Sequence, residues 1–285
     1  MIRWLKKPDK PDISKYIDCY WFLEKSANAE GTDYPKLNPD PSTHLILAIP
    51  TQSFQYKNDK GVSQVVGNHW LHPYSKTYQL DHSKAFACIG IKFHAGAPYS
   101  LINLTALQGQ ASQTLIDKVY GSSGDETIIE DGTHLSSSEL IVMARNAPDN
   151  CCKMLDTLCV YWFSNAIEDK HSQLTRQILP LLATSTSISD LASGLFCSQR
   201  TLERSFLKVT GLTLKQCQSM QRLESILEFL YQRQQSEIDW VDIAYQFGFS
   251  DQPHLIRYLK KHMGLTPQDY ALQRGFTIDE YGGVE

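Results

Sequence analysis

One segment near the carboxyl end occurs twice, and that duplication constrains the fold more than any bulk property. Leu191-Ala192, then Ser198, Leu202, Arg204, Lys208 and Gly211, recur as Ile243-Ala244, Ser250, Leu255, Arg257, Lys261 and Gly264. The offset is 52 up to each serine and 53 after it, so the second copy has one extra residue near Ser250-Asp251-Gln252. Thr213 and Thr266 extend the match, each three residues ahead of a side chain that can complete a capping box, Gln216 and Asp269. Each copy has a short helix with a small Ala where two helices touch, a tight turn, and a second helix opening at Ser or Asp. Those are the parts of a helix-turn-helix. Residues 187–190 cap the first helix, and Gly248 eases the turn of the second copy. Between the copies, 214–232 has no Pro or Gly and is apolar at Met220, Leu223, Ile226, Leu227 and Leu230. This predicts one amphipathic helix about 28 Å long. Two heads on one side of such a strut could enter successive major-groove segments about 34 Å apart.

The second helix of each copy carries the donors and acceptors that base edges require. Gln199, Arg200, Glu203 and Arg204 share a face of the first, with Leu202 and Phe206 inward; Gln252, Pro253, Ile256, Arg257 and Lys260 share a face of the second, with Leu255 and Leu259 inward. Arg can donate twice to guanine, Glu can accept from cytosine, Gln can pair with adenine, and an outward Ile suits a thymine methyl. Ser198, Thr201, Lys208, Ser250, His254, Lys260 and Lys261 are expected at phosphates. Any single cation here has an ordinary alternative as a solvated surface charge, and helix-turn-helix shapes also dock proteins. The duplicated spacing favours DNA over both.

The segments 198–206 and 248–257, with Gly264-Leu265-Thr266-Pro267, resemble the DNA-binding domain of the AraC/XylS family, over about 187–273. The resemblance implies an all-helical domain of two helix-turn-helix units joined by a long helix, acting on transcription beside RNA polymerase. Its base-reading positions fall on Arg200, Glu203 and Arg204 and on Gln252, Pro253, Ile256 and Arg257. Leu214 stands where the family usually has Pro, and Leu259 where Phe is usual. Pro253 cannot make the side-chain hydrogen bonds that some members make. More loosely, Asp40, 44–46, 90–93, Gly96-Ala97 and 115–121 are similar to the N-terminal region of an AraC-like subgroup, which implies a cupin-like β domain that senses a signal or dimerises.

The upstream residues fit that expectation. Short β-rich runs at 44–49, 53–56, 77–80 and 85–93 are separated by turn residues, which predicts a small barrel or sandwich. Helical periodicity follows at 138–145 and 154–166, with a loop at 121–125 and a break near Pro180. The fold class is thus α+β. The expected divisions are a β-rich sensing domain at 1–100, a helical connector or dimerisation region at 101–173, a DNA-binding domain at 174–275 and an acidic tail at 276–285.

Trp21, Tyr56, Trp70, Tyr78 and Phe93 are candidates for an effector pocket, though aromatics more often fill cores. Five histidines fall between His44 and His94, including His69 and His72, but no Glu follows at cupin-like spacing, so no metal and no cofactor are expected. No nucleophile elbow, phosphate-cradling loop or carboxylate pair stands out, and an enzyme is not expected. A metal-dependent cupin fused to the reader is the catalytic alternative.

Charge is a weak guide. The net charge is −4, while 174–274 holds eleven Lys/Arg against nine Asp/Glu. Seven scattered cysteines do not form a disulfide framework, and Cys151, Cys152 and Cys159 read as buried thiols. With no membrane-length apolar run and no leader pattern at the start, a cytoplasmic protein is expected. Its expected partners are double-stranded DNA, RNA polymerase, a small-molecule effector and a second copy of the chain.

Overall fold

The computed structural model describes residues 2–27, 29, 31–102, 126–128, 134–164, 166–182 and 187–281. The similarity at 115–121, the loop at 121–125 and the last four residues of the tail lie outside them.

The N-terminal half runs β1 (Ile2–Lys6), α1 (Pro11–Ser14), β2 (Ile17–Lys25), β3 (Lys36–Leu37), β4 (Thr43–Ala48), β5 (Ser53–Asn58), β6 (Gly61–Val66), β7 (His69–Leu71), β8 (Tyr78–Leu80), β9 (Phe86–Phe93) and α2 (Ala97–Ile102). Then come β10 (Glu126–Ile128), β11 (His134–Ser136), α3 (Ser137–Asn146), α4 (Pro148–Phe163) and α5 (Lys170–Ile178). The strands form a five-stranded antiparallel sheet, β1-β2-β9-β4-β7, a four-stranded sheet, β3-β8-β5-β6, and the β10-β11 pair. The expected β-rich domain is therefore two sheets rather than one closed cylinder. The β10-β11 pair also puts strands inside the stretch read as a helical connector, too short to announce themselves by alternation.

The central strands of the larger sheet are buried on both faces, which is why β4 and β9 read as nearly continuous apolar runs. One face, with Tyr20, Phe22, Leu45, Leu47, Ile89, Ile91 and Phe93, packs on α3 and α4 through Leu140, Ala144, Cys151, Leu155 and Cys159. Trp4 Nε1 donates to Ala144 O at 2.9 Å, tying β1 to α3. Buried Asp156 of α4 accepts from Tyr20 Oη at 2.8 Å and from the amide of Asp9 at 3.0 Å, so the carboxylate is satisfied where it is desolvated. On the opposite face lie Leu23, Ile46, Ala48, Phe86 and Cys88, with Trp21 and Phe54 against them. Trp21 pairs with Gly90 across β2 and β9, and a Cβ at Gly90 would come 1.8 Å from the indole. Only glycine lets that ring lie flat on the sheet.

The C-terminal part is helical: α6 (Ile188–Gly194), α7 (Gln199–Thr210), α8 (Leu214–Tyr231), α9 (Trp240–Gln246), α10 (Gln252–Met263), α11 (Pro267–Gln273) and α12 (Thr277–Tyr281). A 3-10 turn at Leu179–Leu181 ends the connection at the expected Pro180. Leu214, Cys217 and Met220 of α8 belong to the core of the first repeat, with Leu202 and Phe206. Leu223, Ile226, Leu227 and Leu230 belong to the core of the second, with Leu255 and Leu259. Leu214 and Leu259, the two departures from the family pattern, are both buried apolar side chains.

Residues 276–281 are not a free acidic tail. Phe276 is fully buried, Ile278 packs beside it, and Asp279 accepts from Tyr270 Oη at 2.9 Å. The acidic composition of the stretch concealed the two apolar residues that anchor it.

Candidate nucleic-acid interface and effector cavity

Both helix-turn-helix units are built from local signals. Ser187 caps α6 by accepting from the Asp190 amide, and Ser198 caps α7 by accepting from the Thr201 amide. Asp239 and Asp251 do the same for α9 and α10. Gly211 and Gly264 end α7 and α10 in the left-handed conformation, at φ 72° and 73°. Capping boxes at Thr213/Gln216 and Thr266/Asp269 open the helices that follow. Each inner turn also needs one left-handed residue. Gly248 supplies it in the second unit at φ 70°, while Phe196 supplies it in the first at φ 52° with its ring 97% exposed.

On α7, Gln199, Arg200, Glu203 and Arg204 are exposed while Leu202, Ser205 and Phe206 are buried. On α10, Pro253 and Arg257 are exposed, Gln252 and Ile256 half-buried, and Leu255 and Leu259 buried. Gln199 Nε2 donates to Glu203 Oε1 at 2.8 Å, which holds Glu203 along the helix. Arg200, Arg204 and Arg257 have no hydrogen bond or ion pair among the described residues, so their guanidiniums are available to an external acceptor. Of the expected phosphate contacts, Lys260 and Lys261 are exposed in the last turn of α10, and Ser250 bonds His254 Nδ1 at 3.2 Å. Ser198 Oγ lies 2.9 Å from Thr201 Oγ1. Lys208 points elsewhere: its ammonium sits 3.7 Å from Asp169 and 5.8 Å from the centre of the Tyr99 ring, both in the N-terminal half.

A sequence family described as a helix-turn-helix domain matches residues 191–273, which span both units. Residues 191–273 thus form an AraC-type helix-turn-helix domain. A second family, a domain of unknown function (DUF6597), matches residues 7–113 of the chain. Among curated proteins, none matches it. Solved structures similar to the chain include ToxT from Vibrio cholerae, at 13% identity over 88% of this chain and 98% of that one, with a TM-score of 0.46. The C-terminal domain of AraT, a response regulator from Geobacillus stearothermophilus, is 22% identical over 37% of this chain and 89% of that one, with a TM-score of 0.34. The AraC-like transcriptional activator CuxR is 10% identical over 78% of this chain and 85% of that one, with a TM-score of 0.26.

Between the two sheets lies a cavity of about 310 Å³. Trp21, Leu23, Ile46 and Phe86 line it from the larger sheet, Phe54 and Tyr56 from the smaller. The C-terminal half supplies a further part of the wall: Glu224, Leu227 and Glu228 of α8, and Thr277 and Ile278 of α12. Of the aromatics expected in an effector pocket, Trp21 and Tyr56 are on this wall. Phe93 is fully buried in the core on the opposite face of the sheet, and Trp70 packs against it at 5.5 Å. Tyr78 stands behind Tyr56, with ring centres 5.9 Å apart. Strand alternation could have separated Phe93 from Trp21, because one register step moves a side chain to the other face. No sequence signal links Glu224 or Ile278 to a cavity formed by strands two hundred residues away.

The two halves meet beside this cavity. Lys92 Nζ reaches Glu224 at 3.2 Å, Asp40 at 3.4 Å and Asp18 at 3.8 Å. Burial alone would lower the Lys92 pKa, but the carboxylates of Asp40, Glu224 and Asp18 outweigh it and hold the ammonium protonated well above its usual range. Burial likewise opposes ionisation of Asp40, and Lys92, His44 and the Ser42 amide overcome it. Thr77 Oγ1 donates to His262 O at 2.8 Å, and the Lys36 amide donates to Gly275 O at 2.8 Å. Gly96, at φ 79°, lies so close to Val209 of α7 that a Cβ would come within 2.6 Å of it.

The histidines considered for metal have other partners. Both nitrogens of His69 are engaged, by Tyr56 Oη at 2.7 Å and Gly67 O at 2.8 Å, and His44 bonds Asp40 at 3.0 Å. Cys151, Cys152 and Cys159 are buried, and burial raises each thiol pKa, to about 12, 11 and 12. No helix among the described residues is long and apolar enough to cross a membrane.

Proposed function

We propose that this regulator reads duplex operator DNA with Gln199, Arg200, Glu203 and Arg204 of α7 and Gln252, Pro253, Ile256 and Arg257 of α10, the phosphates being met by Ser198, Thr201, Ser250, His254, Lys260 and Lys261. The observation that carries this is three exposed guanidiniums, at Arg200, Arg204 and Arg257, with no intramolecular acceptor, on the second helices of a duplicated helix-turn-helix. Lys208 joins the phosphate contacts once it leaves Asp169 and Tyr99. The cavity between the sheets is the effector site, and the protein works in the cytoplasm by binding rather than catalysis. Contacts with RNA polymerase and with a second copy of the chain follow from the family resemblance.

Arg204→Ala or Arg257→Ala should each weaken the cognate site by about 1–3 kcal/mol and relax base choice, whereas Lys260→Ala should weaken all sequences alike and flatten the salt dependence. Titrations at several salt concentrations read both effects. Unchanged cognate affinity in both arginine variants would refute the assignment. A partner protein in place of DNA would show as an affinity for duplexes that barely falls with salt.

A further inference from the structure

We propose that the cavity takes a monocation with an apolar, aromatic-sized body, such as an arylalkylammonium, whose charge seats at Glu224 and Glu228. This rests on the effector-site reading above. The body is specified by the walls: Trp21, Phe54, Tyr56 and Phe86 with Leu23 and Ile46, around a volume that suits one small ligand.

The charge is specified by what stands at the α8 side. Glu224 and Glu228 both line the cavity and lie one helical turn apart, a spacing at which like charges repel. Glu224 is shared with Lys92, but Glu228 has no hydrogen bond or ion pair among the described residues. In the surrounding cluster two ammoniums, Lys7 and Lys92, face four carboxylates, Asp18, Asp40, Glu224 and Glu228. Partial desolvation and then Glu224 raise the Glu228 pKa, as expected of an uncompensated negative charge. Arg3, the one Lys or Arg among the described lining residues, is exposed and already engaged. A carboxylate ligand would add to the surplus, while an ammonium would relieve it and lie against aromatic faces that attract cations. Because Glu224 is also the partner of Lys92 across the boundary between the halves, a bound cation competes for the contact that ties α8 to the sheet.

The test compares three probes of nearly one shape on the full chain: 2-naphthylmethylammonium, 2-naphthalenemethanol and 2-naphthoate. Binding is followed by calorimetry and by tryptophan emission, with Trp21→Phe locating the response. The ammonium should bind about tenfold or more tighter than either relative, and Glu228→Gln should remove most of that advantage while leaving the alcohol unchanged. Glu228 is exposed, so the variant keeps its fold. If the alcohol binds but the carboxylate equals or exceeds the ammonium, or if Glu228→Gln leaves the ammonium unaffected, the charge assignment is overturned and the effector site stands. If none of the three binds below about 1 mM, both fall.

Discussion

Replacing Lys92 by Met tests whether one ammonium holds the two halves of the protein in register. Its side chain is 16% exposed and that of Asp40 11%, while Asp18 and Glu224 are 28% and 36% exposed. At 3.4 Å and an effective dielectric of about 20, the Lys92–Asp40 attraction is about 5 kcal/mol, much of it offset by the desolvation of both ions. Removing Lys92 does not restore that hydration. It leaves Asp40 buried with only His44 and the Ser42 amide as partners, a situation that typically costs 3–5 kcal/mol. The contacts to Asp18 and Glu224, nearer solvent, add little. Lys92→Met should therefore lose about 3 kcal/mol in urea unfolding followed by tryptophan emission, a probe dominated by the N-terminal half because Trp4, Trp21, Trp70 and Trp162 all lie there. Adding Asp40→Asn should recover part of the loss by removing the stranded charge. A cycle with Glu224→Gln should give a coupling of about 1 kcal/mol. The parent's Asp40 contribution is present above the unfolded carboxyl value near 4 and is lost as acidification approaches the lower folded value, so Lys92→Met should also be less acid-sensitive. A loss under about 1 kcal/mol, with no coupling to Glu224, would refute the reasoning.

Two further outcomes can be checked. Burial, helped by Lys25, pushes His82 down to about 4, so its stabilising contribution is complete above pH 6.5 and disappears between 6.5 and 4; it is worth at most about 3 kcal/mol, and His82→Gln should flatten stability over that window. An unchanged slope would contradict it. Phe196→Gly should raise the denaturant midpoint by an amount equivalent to about 1 kcal/mol, since the left-handed backbone costs any residue with a Cβ and the exposed ring buries nothing; a loss of stability would show that the ring packs in solution.

The C-terminal half was readable because its signals are local. Caps at Ser187, Ser198 and Asp251, the glycine at 248 and the 3.6-residue spacing along 214–232 each act within a few residues, and the repeat stated them twice. The same repeat places Phe196 opposite Gly248, so the strained turn was legible too. Strands at 43–48, 53–58 and 86–93 declared themselves by composition, whereas β1, β7, β10 and β11 are only three to five residues long. The cavity was half legible. Trp21 and Tyr56 are aromatic and on strands, but Glu228 and Ile278 reach it only because the halves dock, through contacts separated by more than a hundred residues. The partners of Lys208 were hidden for the same reason: Asp169 and Tyr99 come from the other half.

The shared helix α8 has a consequence for the operator. Its first two turns are built into one head and its last two into the other, so the heads cannot turn independently without opening both cores. An inserted base pair between the two boxes would shift one by about 3.4 Å and swing it by roughly 35° around the duplex axis. A rod of about 27 Å with no Pro, Gly or break has no hinge to follow that rotation. If both heads read DNA as proposed, operators of this protein are held to one box-to-box phase, and any element with a different phase must bend its own DNA to be read.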